Sequence, residues 1–564
     1  MTTEYSVADA IVDSLAASGV RYFFGNAGTD FPPLIEAFAK AQAQGRPAPT
    51  PVLAPHENTA ITMAHGYAAA TGDPQAVMVH TTVGTANALC GLINAARENI
   101  PVLFFAGRTP ISEGSAVGAR NLFIHWPQEA FDQAGSVREY VKWEYELRQG
   151  TAPALAVERG LAIAKSEPLG PVYLTLPREI LAGPAPTTNA PVGRQRPAAA
   201  FAPDPDAIEE AARILAAAEA PLIVTARVGK SALAIRALDE LAREFSIPVC
   251  AAFPRYVCLP SDHPMYLGFA RGNALKVCDA VLLVDCDVPW STAAEAPPAT
   301  APVIHLGADP LETALPMRSF RADVIVGGTT ALALPALGEA LRRKNVSSDR
   351  LGRRRRHVES TVAELRRTRA ERLVQLATAK PIAAAYLAHC LDLVKGHDAV
   401  VVNEVVAAHD NLSFHTADQF FSLPAVGGLG WGLGAALGVK LANPNRLVIA
   451  CVGDGSYLFG NPAAAHMVGE AQQLPFLTVI FNNRLWASVG NATRAMYPDG
   501  YAVRSNRMAL THLEPAPRYE LYVQASGGFG IQVSDTADLL PALRKAVAVV
   551  REERRQAVVN VLTG

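Results

Sequence analysis

Short segments rich in β-branched residues alternate with longer alanine-rich segments along almost the whole chain, and this alternation restricts the fold more than any other feature. The pattern is typical of parallel sheets covered by helices on both faces. The strand-like segments fall into three sets: Ala76–Val79, Pro101–Ala106 and Pro171–Leu176; Leu222–Thr225, Pro248–Ala251, Ala280–Val284, Val303–Leu306 and Val324–Val326; Ala399–Val402, Leu447–Val452, Phe476–Phe481 and Val558–Leu562. The sequence therefore predicts an α/β protein with three doubly wound parallel-sheet domains.

The length of 564 residues also exceeds what one hydrophobic core organises and indicates about three domains. A Pro/Ala-rich stretch and a highly charged stretch separate the three sets of strands and are interpreted as linkers. The charged stretch contains Arg353–Arg356, which we interpret as a solvated linker or helix face without a function of its own. The predicted domains are residues 1–182, 200–342 and 376–564, with linkers at 183–199 and 343–375.

Charge and cysteine usage narrow the class of protein. A net charge of −2 argues against nucleic acid or an anionic membrane as a partner. The seven cysteines are scattered and form no C-x-x-C pair, so neither a disulfide framework nor a zinc site is expected. The N-terminus has no secretory pattern, and no apolar run is long enough to span a membrane. We expect a soluble cytoplasmic protein that acts on a small molecule.

Two polar motifs follow consecutive strands of the third set. Leu447–Val452 leads directly into Gly453-Asp454-Gly455-Ser456, and Phe476–Phe481 leads into Asn482-Asn483. Ligands bind at the carboxyl ends of parallel strands, where carboxylate and amide oxygens suit Mg²⁺ and glycines let backbone N–H groups approach a phosphate. The sequence therefore predicts a magnesium and phosphate site at this edge of the third sheet.

An acidic residue opens a helix in the first set. The short strand Val52–Pro55 is followed by His56-Glu57-Asn58 and by apolar residues at helical spacing. An acid in the first turn usually only stabilises the helix terminus. Taken alone, Glu57 is therefore a weak candidate for catalysis.

The two motifs together with the segment around Glu57 carry a resemblance over nearly the whole chain. Gly453-Asp454-Gly455 followed by Asn482-Asn483, and Pro55–Ala60 before Gly66-Tyr67-Ala68, resemble the thiamine-diphosphate-dependent decarboxylase and acetolactate-synthase family. The resemblance implies pyrimidine-binding, middle and diphosphate-binding domains, with thiamine diphosphate and Mg²⁺ as cofactors. It also implies that Glu57 hydrogen-bonds and activates the cofactor, and that the metal ligands are Asp454, Asn483 and the carbonyl of Leu485.

The segment Ala425–Trp431 resembles the part of the family that lies beneath the cofactor, with Leu429 wedged between the two cofactor rings. A rival interpretation is dinucleotide binding, since Gly430-x-Gly432-x-x-Ala435 fits a relaxed fingerprint; no clear strand runs into these glycines, and no acid ends a later strand. The resemblance does not imply FAD, because Thr225–Lys230 lacks the consecutive glycines that flavin-binding members of the family usually have there. The residues expected to bind the cofactor are Asn26, Gly28, Asn87, Gly427, Gly428, Leu429, Gly455 and Ser456.

Three further stretches resemble the benzoylformate decarboxylase branch of the family. They are Phe24–Thr29, Val79–Asn87 and Gly170–Leu174. This resemblance places the Thr29 hydroxyl at the substrate carboxylate and His80 at a catalytic acid/base position, a role that suits imidazole near neutral pH. The expected catalytic residues are thus Glu57, His80 and Thr29. His56 is left with two alternatives, a helix cap or a hydrogen bond to the cofactor.

The resemblance implies decarboxylation of a 2-oxo acid through an enamine intermediate. The middle-domain loop that carries a second catalytic histidine in this branch reads Asp287–Thr292 here, so Trp290 or Ser291 is expected to line the pocket instead. Without that proton donor, carboligation to an aldehyde or ketone acceptor is the alternative; a flavin or nicotinamide oxidoreductase is less favoured. Glu57 and Asp454 lie on different domains, and the resemblance implies that they pair across two chains. We therefore expect a homodimer or homotetramer with the active site between chains.

Overall fold

Three parallel β-sheets organise the chain, which confirms the predicted α/β architecture. The computed structural model describes residues 5–150, 152–186, 195–269, 271–291, 295–404 and 409–564. The chain divides into two compact units. The first comprises residues 1–198, 423–532 and 546–560, and the second comprises residues 199–422, 533–545 and 561–564. The boundaries of the three predicted domains stay predictions.

The first sheet has six strands in the order β2-β1-β3-β4-β6-β5. Its strands are β1 Tyr22–Gly25, β2 Thr50–Leu53, β3 Ala76–Val79, β4 Leu103–Arg108, β5 Glu144–Glu146 and β6 Val172–Pro177. Its helices are α1 Val7–Ala17, α2 Pro32–Ala43, α3 Glu57–Thr71, α4 Thr81–Arg97, α5 Pro153–Ala164 and α6 Arg178–Ala182. Strands β3, β4 and β6 are buried at every residue, as expected for a sheet covered on both faces. The strand order reverses between β1 and β3, where α/β sheets bind ligands.

The second sheet has five strands in the order β11-β10-β9-β7-β8. Its strands are β7 Pro221–Thr225, β8 Val249–Ala251, β9 Ala280–Val284, β10 Val303–Gly307 and β11 Val324–Gly327. Its helices are α7 Pro205–Ala217, α8 Ala232–Phe245, α9 Arg271–Val277 and α10 Thr330–Arg343. Buried aliphatic side chains of β7, β9 and β10 form the centre of its core.

A helix of 29 residues, α11 (Ser348–Leu376), follows the second sheet and contains the arginine run. Arg354 is only 3% exposed. Its guanidinium donates hydrogen bonds to the carbonyls of Leu215 and Ala218 at the end of α7 and of Phe245 at the end of α8. Cations at helix C-termini satisfy carbonyls that lack a partner within the helix. The interpretation of the whole run as a solvated face was therefore wrong for Arg354, which joins α11 to two helix ends.

The third sheet has six strands in the order β13-β12-β14-β15-β17-β16. Its strands are β12 Val400–Glu404, β13 Phe420–Ser422, β14 Val448–Gly453, β15 Leu477–Asn482, β16 Phe529–Val533 and β17 Ala557–Leu562. Its helices are α12 Ala384–Lys395, α13 Gly432–Ala442, α14 Asp454–Phe459, α15 Pro462–Ala471, α16 Ala487–Met496, α17 Tyr501–Ser505, α18 Glu520–Gln524 and α19 Thr536–Arg551. Within the described ranges, no helix combines the length and apolar character needed to cross a membrane.

Candidate active site

Asp454 and Asn483 lie at the carboxyl ends of two neighbouring parallel strands. Gly453 of β14 is paired with Phe481 of β15, so the residues that follow these strands share one edge of the sheet. Asp454 is 2% exposed, and its Oδ2 has no hydrogen-bond partner among the described residues. Burial raises the pKa of Asp454. Hydrogen bonds from the backbone N–H groups of Gly455 and Arg484 lower it, but burial has the larger effect. A buried carboxylate oxygen without a partner fits a hard cation at this position.

The two asparagines after β15 differ in their contacts. Asn482 is buried and donates from Nδ2 to Asn560 Oδ1 at 3.0 Å, so its amide is part of the packing between strands. Asn483 is half-buried, and its Oδ1 accepts a hydrogen bond from the backbone N–H of Leu485 at 3.0 Å. Asn482 Oδ1 likewise accepts a hydrogen bond from the backbone N–H of Arg484 at 3.2 Å, so the choice of Asn483 as the metal ligand stays a prediction.

Gly455 is required by a close contact. A Cβ at this position would lie 2.4 Å from the indole ring of Trp486. Ser456 follows in the first turn of α14 and is buried. Gly455 and Ser456 thus lie buried directly after Asp454, and their contact with the diphosphate stays a prediction.

Glu57 is the first residue of α3 and is held by two amides. Its Oε1 accepts a hydrogen bond from Asn26 Nδ2 at 2.9 Å, and its Oε2 accepts one from Asn87 Nδ2. An ionised carboxylate accepts hydrogen bonds on both oxygens and donates none. Asn26 and Asn87, predicted as cofactor-binding residues, therefore contact Glu57 itself and fix the position of its charge.

His56 occupies the N-cap position of α3, but its side chain makes no capping hydrogen bond. Its Nδ1 is buried without a hydrogen-bond partner in the part of the chain that the structure describes. The helix-cap alternative for His56 is thus wrong. The other alternative, a hydrogen bond to the cofactor, stays a prediction.

Glycines bring α3 and α13 into close contact. A Cβ on Gly66 would lie 2.2 Å from the carbonyl oxygen of Ala435, and a Cβ on Gly438 would lie 2.0 Å from that of Met63. Both helices are buried along most of their length. Because α3 begins with Glu57 and α13 follows the Leu429 segment, this packing brings the two segments together.

Side chains from α3 and α4 hold the backbone of the Leu429 segment. Asn58 Nδ2 donates to the carbonyl of Gly430 at 3.2 Å, and Asn94 Nδ2 donates to that of Gly428 at 2.7 Å. Leu429 lies half-buried between the two contacts. Both hydrogen bonds form within one chain, so they do not depend on a second subunit. The predicted homodimer or homotetramer stays a prediction.

Gly430, the first glycine of the rival dinucleotide motif, has a conformational and a packing reason instead. It adopts a φ of 79°, where glycine is favoured. A Cβ on Gly430 would also lie 2.9 Å from the carbonyl oxygen of Phe459. Strand β13 ends at Ser422, well before α13, so no strand leads directly into these glycines. The local structure does not have the strand–turn–helix form of a dinucleotide site.

His80 ends β3 and precedes α4. Its Nδ1 lies 2.6 Å from Asp30 Oδ1, and its Nε2 lies 3.2 Å from Gln128 Nε2. The hydrogen bond to Asp30 raises the pKa of His80 against its partial burial, which lowers it. The next residue, Thr81, has a φ of 42°, a conformation that is strained for a β-branched side chain and that accompanies functional sites.

Thr29 lies in the loop after β1, close to His80. Its carbonyl accepts a hydrogen bond from Arg178 Nη1 at 3.0 Å, and the same guanidinium binds the carbonyls of Gly118 and Ala119. Arg178 thereby fixes the loop that carries Thr29. Both residues line a pocket at the point of strand-order reversal, together with Asp30, His80, Thr81, Arg108, Thr109, Pro110, His125 and Gln128.

Only Thr29 and His80 of this pocket were predicted as site residues from the sequence. Asp30 directly follows the Phe24–Thr29 motif, which could have drawn attention to it. Gln128 and His125 come from a long irregular segment between β4 and β5, where the sequence has no periodic signal. The Nδ1 of His125 accepts hydrogen bonds from backbone N–H groups, and burial lowers the pKa of His125.

The two alternatives expected to line the pocket in place of the missing second histidine, Trp290 and Ser291, differ in exposure. Trp290 belongs to the apolar core of the second sheet and packs edge-on against Phe320, and its place in the pocket stays a prediction. Ser291 is exposed.

Three stretches of the chain match the domains of one family. Residues 5–136 match "Thiamine pyrophosphate enzyme, N-terminal TPP binding domain", residues 208–337 match its central domain, and residues 401–561 match its C-terminal TPP binding domain. The fold is that of an enzyme built from parallel-sheet α/β domains, two of which match thiamine pyrophosphate-binding domains. The chain belongs to the thiamine pyrophosphate enzyme family. Its cofactor is thiamine diphosphate, for which Mg²⁺ is the usual partner metal of the family.

Relatives of the chain within that family include decarboxylases and acetolactate synthases. The chain is 27% identical to benzoylformate decarboxylase of Pseudomonas aeruginosa, over 86% of this chain and 87% of that one. It is 25% identical to the acetolactate synthase isozyme 3 large subunit of Escherichia coli, over 97% and 93% respectively. This protein is a thiamine-diphosphate-dependent enzyme of the decarboxylase and acetolactate synthase family.

Solved structures share its fold. The thiamine diphosphate-dependent 4-hydroxybenzoylformate decarboxylase of Rhodococcus jostii RHA1 superposes with a TM-score of 0.77 at 22% identity, covering 99% of both chains. Benzoylformate decarboxylase of Polynucleobacter necessarius gives 0.77 at 21% identity, covering 99% of this chain and 98% of that one. At these identities the likeness shows the fold alone.

Proposed function

We propose that this enzyme decarboxylates a 2-oxo acid, with Glu57 as the residue that activates the cofactor. The observation that carries the proposal is the position of Glu57. Its buried carboxylate is held on both oxygens by Asn26 and Asn87, and Asn58 of the same helix turn contacts the backbone beside Leu429. A fixed negative charge at this place is suited to holding a proton on a ring nitrogen of the cofactor.

The cofactor would be held by residues from three segments. Asp454, Asn483 and the carbonyl of Leu485 would bind Mg²⁺, and Gly455 and Ser456 would lie against the diphosphate. The unpartnered Asp454 Oδ2 supports this assignment. When bound, thiamine diphosphate supplies the electron sink for breaking the bond to the substrate carboxylate. The remaining residues proposed to contact it are Gly28, Gly427, Gly428 and Leu429.

His80 and Thr29 would act on the substrate. The Thr29 hydroxyl would donate a hydrogen bond to the substrate carboxylate, in a loop that Arg178 holds in place. His80 would move a proton at Nε2, because Asp30 occupies its Nδ1. The two residues follow neighbouring strands, β1 and β3, so their side chains meet at one edge of the sheet.

Carboligation is a second candidate outcome. Trp290 packs into the core of the second sheet, so the loop that carries a second histidine in related decarboxylases contributes no proton donor through this residue. A slowly protonated reaction centre stays available to an aldehyde or ketone acceptor. Relatives also include a sulfoacetaldehyde acetyltransferase of Castellaniella defragrans, 24% identical over 99% of this chain.

We also propose that the enzyme is a homodimer or homotetramer. Large apolar side chains in and around α16 and α17 are strongly exposed, as interaction surfaces often are. They are Met496, Tyr497, Tyr501 and Leu510.

Replacing Glu57 by glutamine tests the proposed function. The change keeps the shape of the side chain and removes its charge, so we expect turnover of a 2-oxo acid to fall by roughly 100-fold or more. CO₂ release by the enzyme with thiamine diphosphate and Mg²⁺ is the measurement. Glu36→Gln, at an exposed position of α2, is the matched control and should retain full activity. Near-normal activity of Glu57→Gln would contradict the proposal.

A further inference from the structure

His80 has a buried carboxylate as its partner at one ring nitrogen. Asp30 is 3% exposed, and its Oδ1 lies 2.6 Å from His80 Nδ1. The two residues come from the loops after β1 and β3, 50 positions apart in sequence. A carboxylate at Nδ1 fixes the ring orientation and keeps a proton on that nitrogen. Exchange of a proton with a substrate is then left to Nε2.

Two glycines leave the space that this pair occupies. A Cβ on Gly28 would lie 2.2 Å from His80 Nδ1, and a Cβ on Gly107 would lie 1.5 Å from Asp30 Oδ2. Real Cβ atoms do not approach other atoms this closely. The backbone on both sides of the pair is therefore shaped around the contact between Asp30 and His80.

Gln128, the partner of His80 Nε2, can form a hydrogen bond with either charge state of His80. Gln128 Nε2 lies 3.2 Å from His80 Nε2, while Gln128 Oε1 is buried without a partner among the described residues. Rotation of the amide by a half-turn would bring Oε1 to face Nε2, and the O and N atoms of an amide are assigned from such networks. The present orientation suits neutral His80, and the rotated one suits the imidazolium.

The surroundings favour the charged imidazole. Asp30 raises the pKa of His80 by its hydrogen bond and charge, and Glu57 adds a smaller effect in the same direction. His125 has its own pKa lowered by burial and stays neutral, so it does not repel the imidazolium near neutral pH. The Arg178 guanidinium donates hydrogen bonds to the backbone carbonyls of Gly118, Thr29 and Ala119. The ionisable groups around His80 are Asp30, Glu57, Arg108, His125 and Arg178.

We propose that Asp30 is a positioning residue that holds His80 with its Nε2–H ready to protonate the carbon from which CO₂ has left. The inference rests on the proposed decarboxylation. In this step the proton passes from Nε2 to the carbon, and the N–H electron pair stays on the imidazole. His80 becomes neutral, still donating from Nδ1 to Asp30, and solvent returns a proton to Nε2. When His80 does not supply this proton, a carbonyl acceptor can react with the same carbon instead.

Asp30→Asn is the variant that separates charge from geometry. Its amide oxygen can still accept from Nδ1–H, but the negative charge is gone. We expect the midpoint of the His80 titration, followed by NMR of histidine-labelled holoenzyme and assigned with His80→Gln, to fall by at least about one pH unit. The high-pH limb of the kcat/KM profile, measured for CO₂ release and aldehyde formation, should shift to lower pH together with this midpoint. With an aldehyde acceptor present, the share of ligated product should rise.

Two companion variants sharpen the test. Gln128→Glu places a carboxylate at Nε2 and should raise the midpoint, the opposite sign. Asp73→Asn, at an exposed position, should leave both the midpoint and the pH profile unchanged. An active Asp30→Asn enzyme with an unchanged His80 midpoint overturns the inference. If wild-type enzyme releases CO₂ from no 2-oxo acid, the proposed function itself fails, whatever the midpoint does.

Discussion

Asp454 and Glu57 are two buried carboxylates that are held in different ways. Glu57 has both oxygens occupied by amide donors, whereas Asp454 keeps one oxygen without a partner among the described residues. A satisfied carboxylate is a fixed charge, and an unsatisfied one is costly until a cation binds it. The first suits hydrogen bonding to a cofactor ring, and the second suits a metal ligand.

Removal of the Asp454 charge should therefore affect the apoenzyme and the holoenzyme in opposite ways. We expect Asp454→Asn to leave the apoenzyme as stable as the wild type or more stable, because burial disfavours the charged carboxyl. The rise in Tm on adding thiamine diphosphate with Mg²⁺ should be lost. Thermal unfolding with and without both ligands measures this, and the exposed Asp499→Asn variant is the control. A normal ligand-induced rise in Asp454→Asn would argue against a metal at this residue.

For single residues, the sequence motifs identify the candidate functional groups but not their hydrogen-bond partners. Glu57, His80, Asp454 and Asn483 stand in recognisable motifs. Asp30 and Gln128 lie 50 and 48 positions from His80, and only the folded sheet brings them to it. Hydrogen-bond partners chosen across such separations leave no local pattern in a single sequence.

The helix pair α3 and α13 packs the segment that begins with Glu57 against the segment that contains Leu429. Its helices approach closely because glycines face backbone atoms across the contact. A short distance between helix axes leaves no room for a methyl group, so such an interface is sensitive to the smallest substitution.

Alanine at Gly66 should destabilise this interface. The added Cβ meets the carbonyl of Ala435 at 2.2 Å, and we expect the free energy of unfolding to fall by about 1–3 kcal/mol. Gly338→Ala is a matched control, since it also lies in a helix, α10, and its Cβ would meet no atom within 4 Å. That change should be neutral or stabilise the protein by roughly 0.4–1 kcal/mol. Equal effects of the two variants in denaturant unfolding would contradict this explanation of the glycines.

Strands differ in how well the sequence predicts them. Continuous apolar runs mark β9 and β14 to within a residue or two, since both are buried almost throughout. Strands β1, β5, β13 and β16 were not predicted. Strands β5 and β16 are only partly buried, so their sequences lack the apolar run that a central parallel strand requires. Strands β1 and β13 are mostly buried, but they have only four and three residues and so offer only a short apolar run.

Across the whole molecule, stability depends on histidines that are buried in the neutral form. His466 accepts or donates at both nitrogens, to Tyr457 and Gln556, and stacks on Phe476. Burial lowers its pKa to about 4. His409 packs between Phe269 and Phe420, and burial lowers its pKa to about 4 as well. At a pH below its ordinary pKa, each of these histidines is protonated in the unfolded chain. It must lose that proton before it can pack in the native core.

Acid should therefore destabilise the protein through these groups. Between the ordinary histidine pKa of 6.5 and about 4, the unfolded chain binds more protons than the native one, so stability falls as the pH falls. The loss approaches about 3 kcal/mol for each group once the pH is below its native pKa. Urea unfolding of His466→Gln should show a smaller loss between pH 7 and pH 4.5 than the wild type. The exposed His357→Gln variant should follow the wild type, and identical pH dependence in all three would contradict the assignment to His466.

Decarboxylation dependent on thiamine diphosphate is tested most directly by one measurement on the wild-type enzyme. The purified protein is incubated with a panel of 2-oxo acids, with and without thiamine diphosphate and Mg²⁺ and with and without an aldehyde acceptor, while CO₂ and carbonyl products are quantified together. We predict CO₂ release from at least one 2-oxo acid only when both cofactors are present, accompanied by the aldehyde or by its ligated product. CO₂ release that is absent throughout the panel, or that is independent of the cofactors, would contradict the proposed function.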